Sequence, residues 1–290
     1  MELTQLRYFQ TAAYYQHISR AAEELNISQP ALSTMISRLE KELGVPLFDH
    51  NGRSIILNQN GQRFLQRVNH ILMEVENSKR ELQDIADEGD NSISLAVSSS
   101  QFLQGMHAFM YQHPNYKWNQ RVAENKEIAA LLNRGQIDLA VTSPGIYGEV
   151  FESTLLLRDI FKLAVHKDNP LAQRKSVRLE ELTDQRFIML LKGLPFRAQT
   201  DRIFADLGIT PHYIMECDHL LRRELINANA GVTIASQSAS FRHLFSENIR
   251  FLDIEDVHHT RDIVIVHRKG RYLNRASRQF ADFLKQKFSP

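Results

Sequence analysis

The stretch Ala21-Ala22-Glu23-Glu24-Leu25-Asn26-Ile27-Ser28-Gln29-Pro30-Ala31-Leu32-Ser33 decides how the first part of the chain folds. Ala21, Ala22 and Leu25 are the apolar positions of one helix, for which Ser19 offers an N-cap. Asn26 tolerates the left-handed backbone that a tight turn requires. Ser28 then caps a new helix at once, with Pro30 in its first turn, where a missing N–H costs nothing. Leu32, Ile36, Leu39 and Leu43 give this helix an apolar face, and Gly44 followed by Pro46 stops it. Two helices joined by a turn of about three residues make a helix-turn-helix.

Upstream, Leu3, Leu6, Phe9, Ala12 and Ala13 recur at helical spacing and supply a third helix. Downstream, Val45-Pro46-Leu47-Phe48 is a short apolar anchor. The tight-turn pair Asn51-Gly52 follows, then Arg53 and the β-prone run Ser54-Ile55-Ile56-Leu57, which together read as a small hairpin, or wing. Residues 59–88 continue as one proline-free helical pattern. Phe64, Val68, Ile71, Val75, Ser78, Leu82 and Ile85 form a heptad seam with one polar position, flanked by Leu65, Leu72 and Ala86. Such a helix spans roughly 40 Å, and its stripe needs cover. A second copy of the helix is the favoured cover, and burial against the chain's own second domain is the alternative.

Gly89-Asp90-Asn91 reads as a junction, after which strands and helices alternate: Ile93–Val97, a helix through Met110, Lys117–Ala123, Lys126–Asn133, Asp138–Val141, Phe161–Val165, Phe187–Leu191 and onward to a last helix near Asn274–Phe288. Alternation of this kind argues for α/β sheets with parallel strands. Two successive sets in about 200 residues suggest two lobes with a ligand cleft at the carboxyl ends of the strands. The expected fold is therefore mixed. An N-terminal winged helix-turn-helix occupies 1–58 and a linker helix 59–88. A two-lobed α/β domain occupies 92–290, with lobe I at about 92–161 and 267–290 and lobe II at about 162–266.

Composition bounds the function. The 290 residues are 43% hydrophobic and 24% charged, ordinary values for a soluble globular protein. No apolar run approaches the ~18 residues that a membrane span needs. The opening residues lack the pattern of a secretory signal, and the single Cys217 forms no internal disulfide, so a cytoplasmic setting without membrane attachment is expected. The net charge is +1, with six bases against six acids in residues 1–65. Nucleic-acid binding by this segment thus rests on the motif and not on bulk charge.

The segments 21–33 and 39–48 closely match the N-terminal signature of the LysR-type bacterial transcriptional regulators. Arg53, Gly61 and the run Gly135-Gln136-Ile137-Asp138-Leu139-Ala140 extend the resemblance along the chain. It implies a winged helix-turn-helix, a dimerising linker helix and a periplasmic-binding-protein-like effector domain. It further implies that a small molecule alters how the protein holds promoter DNA, usually as a homotetramer, with RNA polymerase as a partner if the protein is an activator. A small-molecule effector is expected and no other cofactor.

The residues themselves agree. With Leu32, Ile36 and Leu39 inward, the third helix turns Gln29, Pro30, Ser33, Thr34, Ser37 and Arg38 outward. Glutamine at the N-terminal end of a recognition helix pairs adenine bidentately, serine and threonine reach bases or phosphates, and Arg53 suits a phosphate or the minor groove. Paired neutral heads gain affinity through effective concentration, which predicts an inverted-repeat site. In the second domain Ser98, Ser99, Ser100 and Gln101 follow a strand and precede a helix, as either helix caps or an effector site. Thr142 and Ser143 close the neighbouring strand. The stretch from Lys192 to Arg197 leads into a helix across the cleft, with Lys192 and Arg197 as surface groups or as cations for a carboxylate; Phe196 beside them and Asn125 are further candidates. The set favours a small anionic or zwitterionic metabolite. The twelve histidines show no metal-ligand spacing, and Cys217-Asp218-His219 reads as structure rather than as a nucleophile with its base. No catalytic residues are expected. A solute-binding protein without DNA function is the alternative reading, and an enzyme using Cys217 or a cleft carboxylate is a third.

Overall fold

The computed structural model describes residues 1–51, 54–86, 91–237 and 245–288, so Gly52, Arg53, Gly89 and Asp90 lie outside the described residues. The chain divides into two compact units. One takes in residues 1–90 with the short segments 133–135 and 270–274, and the other takes in the remainder.

In the first unit, α1 (Leu3–Tyr15), α2 (Ile18–Glu24) and α3 (Gln29–Leu43) surround a core centred on Phe9, Leu32 and Leu39. Helix α2 has His17 at its N-cap, two residues before the Ser19 cap expected from the sequence. The α2–α3 turn runs as expected: Asn26 is left-handed (φ 54°), and Ser28 Oγ accepts the Ala31 N–H at 3.4 Å. Strands β1 (Phe48–Asn51) and β2 (Ser54–Leu57) pair antiparallel as the wing. Glu40 Oε1 ties α3 to the base of the wing by accepting the N–H groups of Leu47 (2.7 Å) and Phe48 (3.3 Å).

Helix α4 (Gln59–Ile85) is capped by Asn58, whose Oδ1 accepts the Gly61 N–H at 2.9 Å. Its stripe divides in two. Phe64, Leu65, Val68 and Leu72 pack into the core of the helix-turn-helix itself, while Ile71, Leu82 and Ile85 are exposed. Two further bonds fix α4 on α1: Arg7 to Glu76 (2.7 Å) and Gln10 to Asn69 (2.6 Å). A straight helix drifts about 20° per heptad against a strict seven-residue repeat, so one seam serves two surfaces.

In the second unit, β3 (Ser92–Val97) runs parallel to β4 (Lys117–Val122) and to β5 (Leu139–Thr142). The sheet is mixed rather than parallel throughout, because β12 (Thr260–Arg268) pairs antiparallel with both β5 and the 16-residue β6 (Phe151–His166). Helix α9 (Arg275–Phe288) covers one face of lobe I through Phe280 and Leu284, and α6 (Asn125–Asn133) covers the other through Ile128 and Leu132.

Strand β6 continues into lobe II, where its second half pairs with β10 (Thr233–Ser236) and β11 (Ile249–Ile254), and β11 with β7 (Ser176–Val177). Parallel strands β8 (Phe187–Leu190) and β9 (Tyr213–Cys217), with α7 (Pro195–Asp206) and α8 (His219–Asn227), complete lobe II. The return to lobe I falls earlier than the expected residue 267. Strand β12 belongs to the lobe I sheet from its first residue, since every partner it has lies on β5 or on residues 151–160 of β6, ahead of the stretch that pairs with β10 and β11. The expected helix after Ser98 is also interrupted. A 3-10 turn (Ser100–Leu103) and α5 (His107–Gln112) are separated by Gly105, whose φ of 79° breaks the helical run.

Candidate functional site

On α3 the apolar face is buried, and Gln29, Pro30, Thr34, Ser37 and Arg38 are exposed, with Ser33 half-buried between them. Gln29 Nε2 lies 3.5 Å from Ser33 Oγ, so the two side chains meet on one ridge of the helix at i, i+4 spacing. The exposed ridge carries one charge, Arg38, and is otherwise a set of neutral hydrogen-bonding groups. Arg53 lies outside the described residues.

Between the two lobes lies a cavity of two adjoining compartments of about 120 and 230 Å³, which share part of their walls. Ser98, Ser99, Ser100, Gln101, Val122 and Ser143 line the smaller one from lobe I, and Leu194, Pro195 and Phe196 line it from lobe II. The larger extends along α8, where Arg222, Arg223 and His219 meet Gln104, Ser236 and Phe245. Ser100, Gln101, Phe196, His219 and Arg261 border both compartments.

The serines differ in what they still offer. Ser98 is buried, and its Oγ accepts the Ser143 N–H at 3.0 Å, which ties the end of β3 to the end of β5. Ser99 Oγ accepts the Gln101 N–H and so caps the 3-10 turn. Ser100 is exposed to the cavity.

The cations of the cavity are not the ones that the sequence suggested. Lys192 is exposed and Arg197 is buried, and neither lines the cavity. Arg197 donates to Asp201 (2.6 Å), to Glu216 (2.6 Å) and to the Leu190 carbonyl (2.5 Å). Burial works to lower its pKa, but the two carboxylates outweigh burial and hold it above the usual arginine value. Asn125 donates to the Pro144 carbonyl (2.8 Å), and the buried Thr142 hydroxyl has no hydrogen-bond partner; neither is among the lining side chains.

The positive charge comes instead from Arg261 on β12 and Arg222 on α8, each only 7% exposed. Both guanidiniums pack on the Phe196 ring, 4.8 and 5.5 Å from its centroid. Arg261 Nε donates to Ser143 Oγ at 3.1 Å, and across the β12–β6 ladder Arg261 faces Asp159. Burial lowers the Arg261 pKa to about 10 against the opposing pull of Asp159. Arg222 makes a long contact to the Ile234 carbonyl (3.4 Å), its Nε has no partner, and no carboxylate among the described residues pairs with it. Burial brings it to about 10 as well, with Cys217 opposing and Arg261 adding to the shift. His219 stands one turn before Arg222. Burial, then Arg222 and Arg261, push its imidazole down to about 4, so it is neutral near pH 7, with its buried Nδ1 unpartnered.

A charge on the buried side of α8, three residues after His219 and four before the buried Ile226, was a readable signal for Arg222. Arg261 carries no such mark in the sequence. The Cys217-Asp218-His219 run separates by role: Asp218 caps α8 by accepting from Leu220 (2.7 Å) and Leu221 (2.9 Å), and the Cys217 thiol is buried, which raises its pKa. Among the described residues no cluster of His, Cys, Asp or Glu is placed to hold a metal ion.

Residues 3–62 match the family described as bacterial regulatory helix-turn-helix protein, lysR family, and residues 87–289 match the LysR substrate binding domain. The chain belongs to the LysR-type family of transcriptional regulators. Its sequence is 32% identical over 294 aligned residues to the uncharacterized HTH-type transcriptional regulator YybE of Bacillus subtilis (strain 168), covering 100% of both chains. Among solved structures, a full-length OxyR variant from Pseudomonas aeruginosa aligns with a TM-score of 0.67 at 21% identity, covering 99% of this chain and 94% of that one. Full-length CbnR complexed with its target DNA aligns at a TM-score of 0.55 and 23% identity, covering 100% of both. This LysR-type protein is thus a DNA-binding transcriptional regulator with an effector-binding domain, not a solute-binding protein or an enzyme. Among its described residues no helix is long and apolar enough to cross a membrane.

Proposed function

We propose that this LysR-type regulator reads an inverted-repeat promoter site with paired α3 helices and changes its grip when a small anionic metabolite enters the cavity between its lobes. The observation that carries the effector half is the cavity's charge: Arg222 and Arg261 are buried there, and no carboxylate is among the described residues that line it. Arg261 has Asp159 across the ladder, but Arg222 has no carboxylate among the described residues; a buried cation of that kind is costly to keep, and an anionic ligand offsets that cost in the liganded state. Ser99, Ser100, Gln101 and Phe196 supply the remaining contacts, and no other cofactor is needed.

For the DNA half, Gln29, Pro30, Ser33, Thr34, Ser37 and Arg38 form the reading ridge, and Arg53, by its chemistry, is the candidate for a backbone or minor-groove contact. CbnR, solved with its target DNA, has the same fold. Pairing through the second half of α4, where Leu82 and Ile85 are 68% and 74% exposed, makes the dimer, and dimers associate further into tetramers. The protein works in the cytoplasm and contacts RNA polymerase where it activates.

The test is selection of bound sequences from genomic DNA with the full-length protein and with Ser33→Ala and Arg53→Ala. An inverted repeat enriched by the parent and lost or weakened in both variants is the expected result. No enrichment at moderate salt, with or without small organic acids, overturns the reading.

A further inference from the structure

The cavity's lining says more about its ligand than the sign of the charge. Metabolite-sized acids fall into two groups: those that also carry an ammonium and those that do not. An ammonium needs a carboxylate, or a cluster of free carbonyl oxygens, to replace its water. The described lining offers three arginines, one neutral histidine, serines, glutamines and apolar side chains, and no Asp or Glu. Asp159, the acid facing Arg261 across the ladder, is itself buried and already accepts from the Ser236 hydroxyl and the Ile160 N–H. Bringing an ammonium into this space sets it against Arg222 and Arg261 with no partner of its own.

On the other side of the balance, Arg222 is more than nine-tenths buried, lacks a carboxylate partner among the described residues, and keeps an unpartnered Nε. His219 stands at i, i+3 from it on α8, so the two side chains are neighbours on one helix face. Its neutral ring has an unpartnered buried nitrogen, which accepts a hydrogen bond from a hydroxyl in one tautomer and donates one to an oxo oxygen in the other.

We infer that the effector is an acid without an ammonium group, a 2-hydroxy or 2-oxo acid, with its carboxylate on Arg222 and the neighbouring oxygen on His219. This rests on the reading of the cavity as the effector site. The rest of the ligand extends past Ser100 and Gln101 into the smaller compartment. Their combined volumes suit a metabolite and fall near the lower end of drug-sized pockets.

Matched pairs of acids test this on the full-length protein, by thermal stabilisation and by calorimetric titration: lactate and pyruvate against alanine, and 2-hydroxyglutarate and 2-oxoglutarate against glutamate. At least one hydroxy or oxo acid is expected to bind at least tenfold more tightly than its amino-acid counterpart, and Arg222→Gln is expected to abolish that binding. Because Arg222→Gln alters a buried site, Gln101→Glu serves as the second variant. A carboxylate placed in the cavity is expected to weaken the hydroxy or oxo acid and strengthen the amino acid, a reversal that misfolding does not produce. Equal or tighter binding of the amino acids overturns this inference and leaves the anion reading standing. No binding by any of these acids overturns the inference, and if citrate, phosphate and sulfate also fail to bind, the anion reading falls with it.

Discussion

Arg261 Nε and Ser143 Oγ stand 3.1 Å apart and join the second residue of β12 to the loop that follows β5. The same guanidinium lies over Phe196 from lobe II and faces Asp159 across the ladder. One side chain therefore senses both lobes and the cavity between them. Replacing Arg261 with methionine keeps the bulk and removes the charge, leaving Asp159 buried without its cation. The loss of stability is expected to be about 3 kcal/mol, the range for breaking a buried charge pair. Arg261→Met combined with Asp159→Asn is expected to recover part of it in urea denaturation. Independent, additive losses would show that the two groups do not act on each other.

Gly61 sits where the first turn of α4 crosses the base of the wing, and a Cβ there would run into the Leu47 carbonyl oxygen and the Leu57 side chain. Backbone does not move aside as a flexible side chain does. Gly61→Ala is expected to lower stability by about 1–3 kcal/mol, read as a lower urea midpoint for the helix-turn-helix. An unchanged midpoint would mean that α4 does not pack as closely as described.

His219 makes stability pH-dependent in a definite direction. Its imidazole titrates near 6.5 when unfolded and at about 4 in the fold. Between those values the unfolded chain holds a proton that the native state refuses. The contribution is complete above pH 6.5 and is lost as pH falls towards 4, with a slope of at most about 1.4 kcal/mol per pH unit. His219→Gln is expected to flatten this part of the profile, measured as urea midpoints from pH 7 to 4.5. An identical slope in the variant would assign the effect elsewhere.

On the α3 ridge the two kinds of contact separate by salt. Gln29→Ala is expected to cost about 1–3 kcal/mol at the selected operator and little on random DNA, as loss of a base contact does. Arg38→Ala is expected to weaken all sequences alike and to reduce the salt slope by about 1, as loss of a phosphate contact does. Titrations at several salt concentrations distinguish these outcomes, and swapped behaviour would reassign the two residues.

The exposed end of the α4 stripe is testable by charge. Leu82→Glu with Ile85→Glu is expected to shift sedimentation towards the monomer and to weaken operator binding by at least tenfold, since two linked heads gain their affinity from effective concentration. Both positions are solvent-facing within the chain, so thermal stability of the monomer is expected to change little. A variant that stays oligomeric places the pairing surface elsewhere.

The helix-turn-helix was legible because its determinants are local. Asn26, Ser28, Pro30 and Gly44 each act within a few residues, and the structure repeats them almost position by position. The serines at the end of β3 were legible for a similar reason, since a strand's carboxyl end is visible in sequence. The cleft's cations were not. Arg197 and Lys192 had the expected position in the chain, but Asp201 and Glu216 claim the first and solvent keeps the second. Arg261 reaches the cavity only because β12 pairs with β6 in the register that puts it opposite Asp159, about a hundred residues away in the chain. The split of the α4 stripe was hidden too, because a heptad pattern does not say which turns face the chain's own core.

The polypeptide passes between the lobes twice, and the two crossings meet where Ile160 lies opposite Thr260 and Asp159 opposite Arg261. Arg261 stands at that meeting point, with Phe196 of lobe II beneath its guanidinium. Any rotation of one lobe against the other has to pass through these two strands, so the side chains at their meeting point register it at the shortest range.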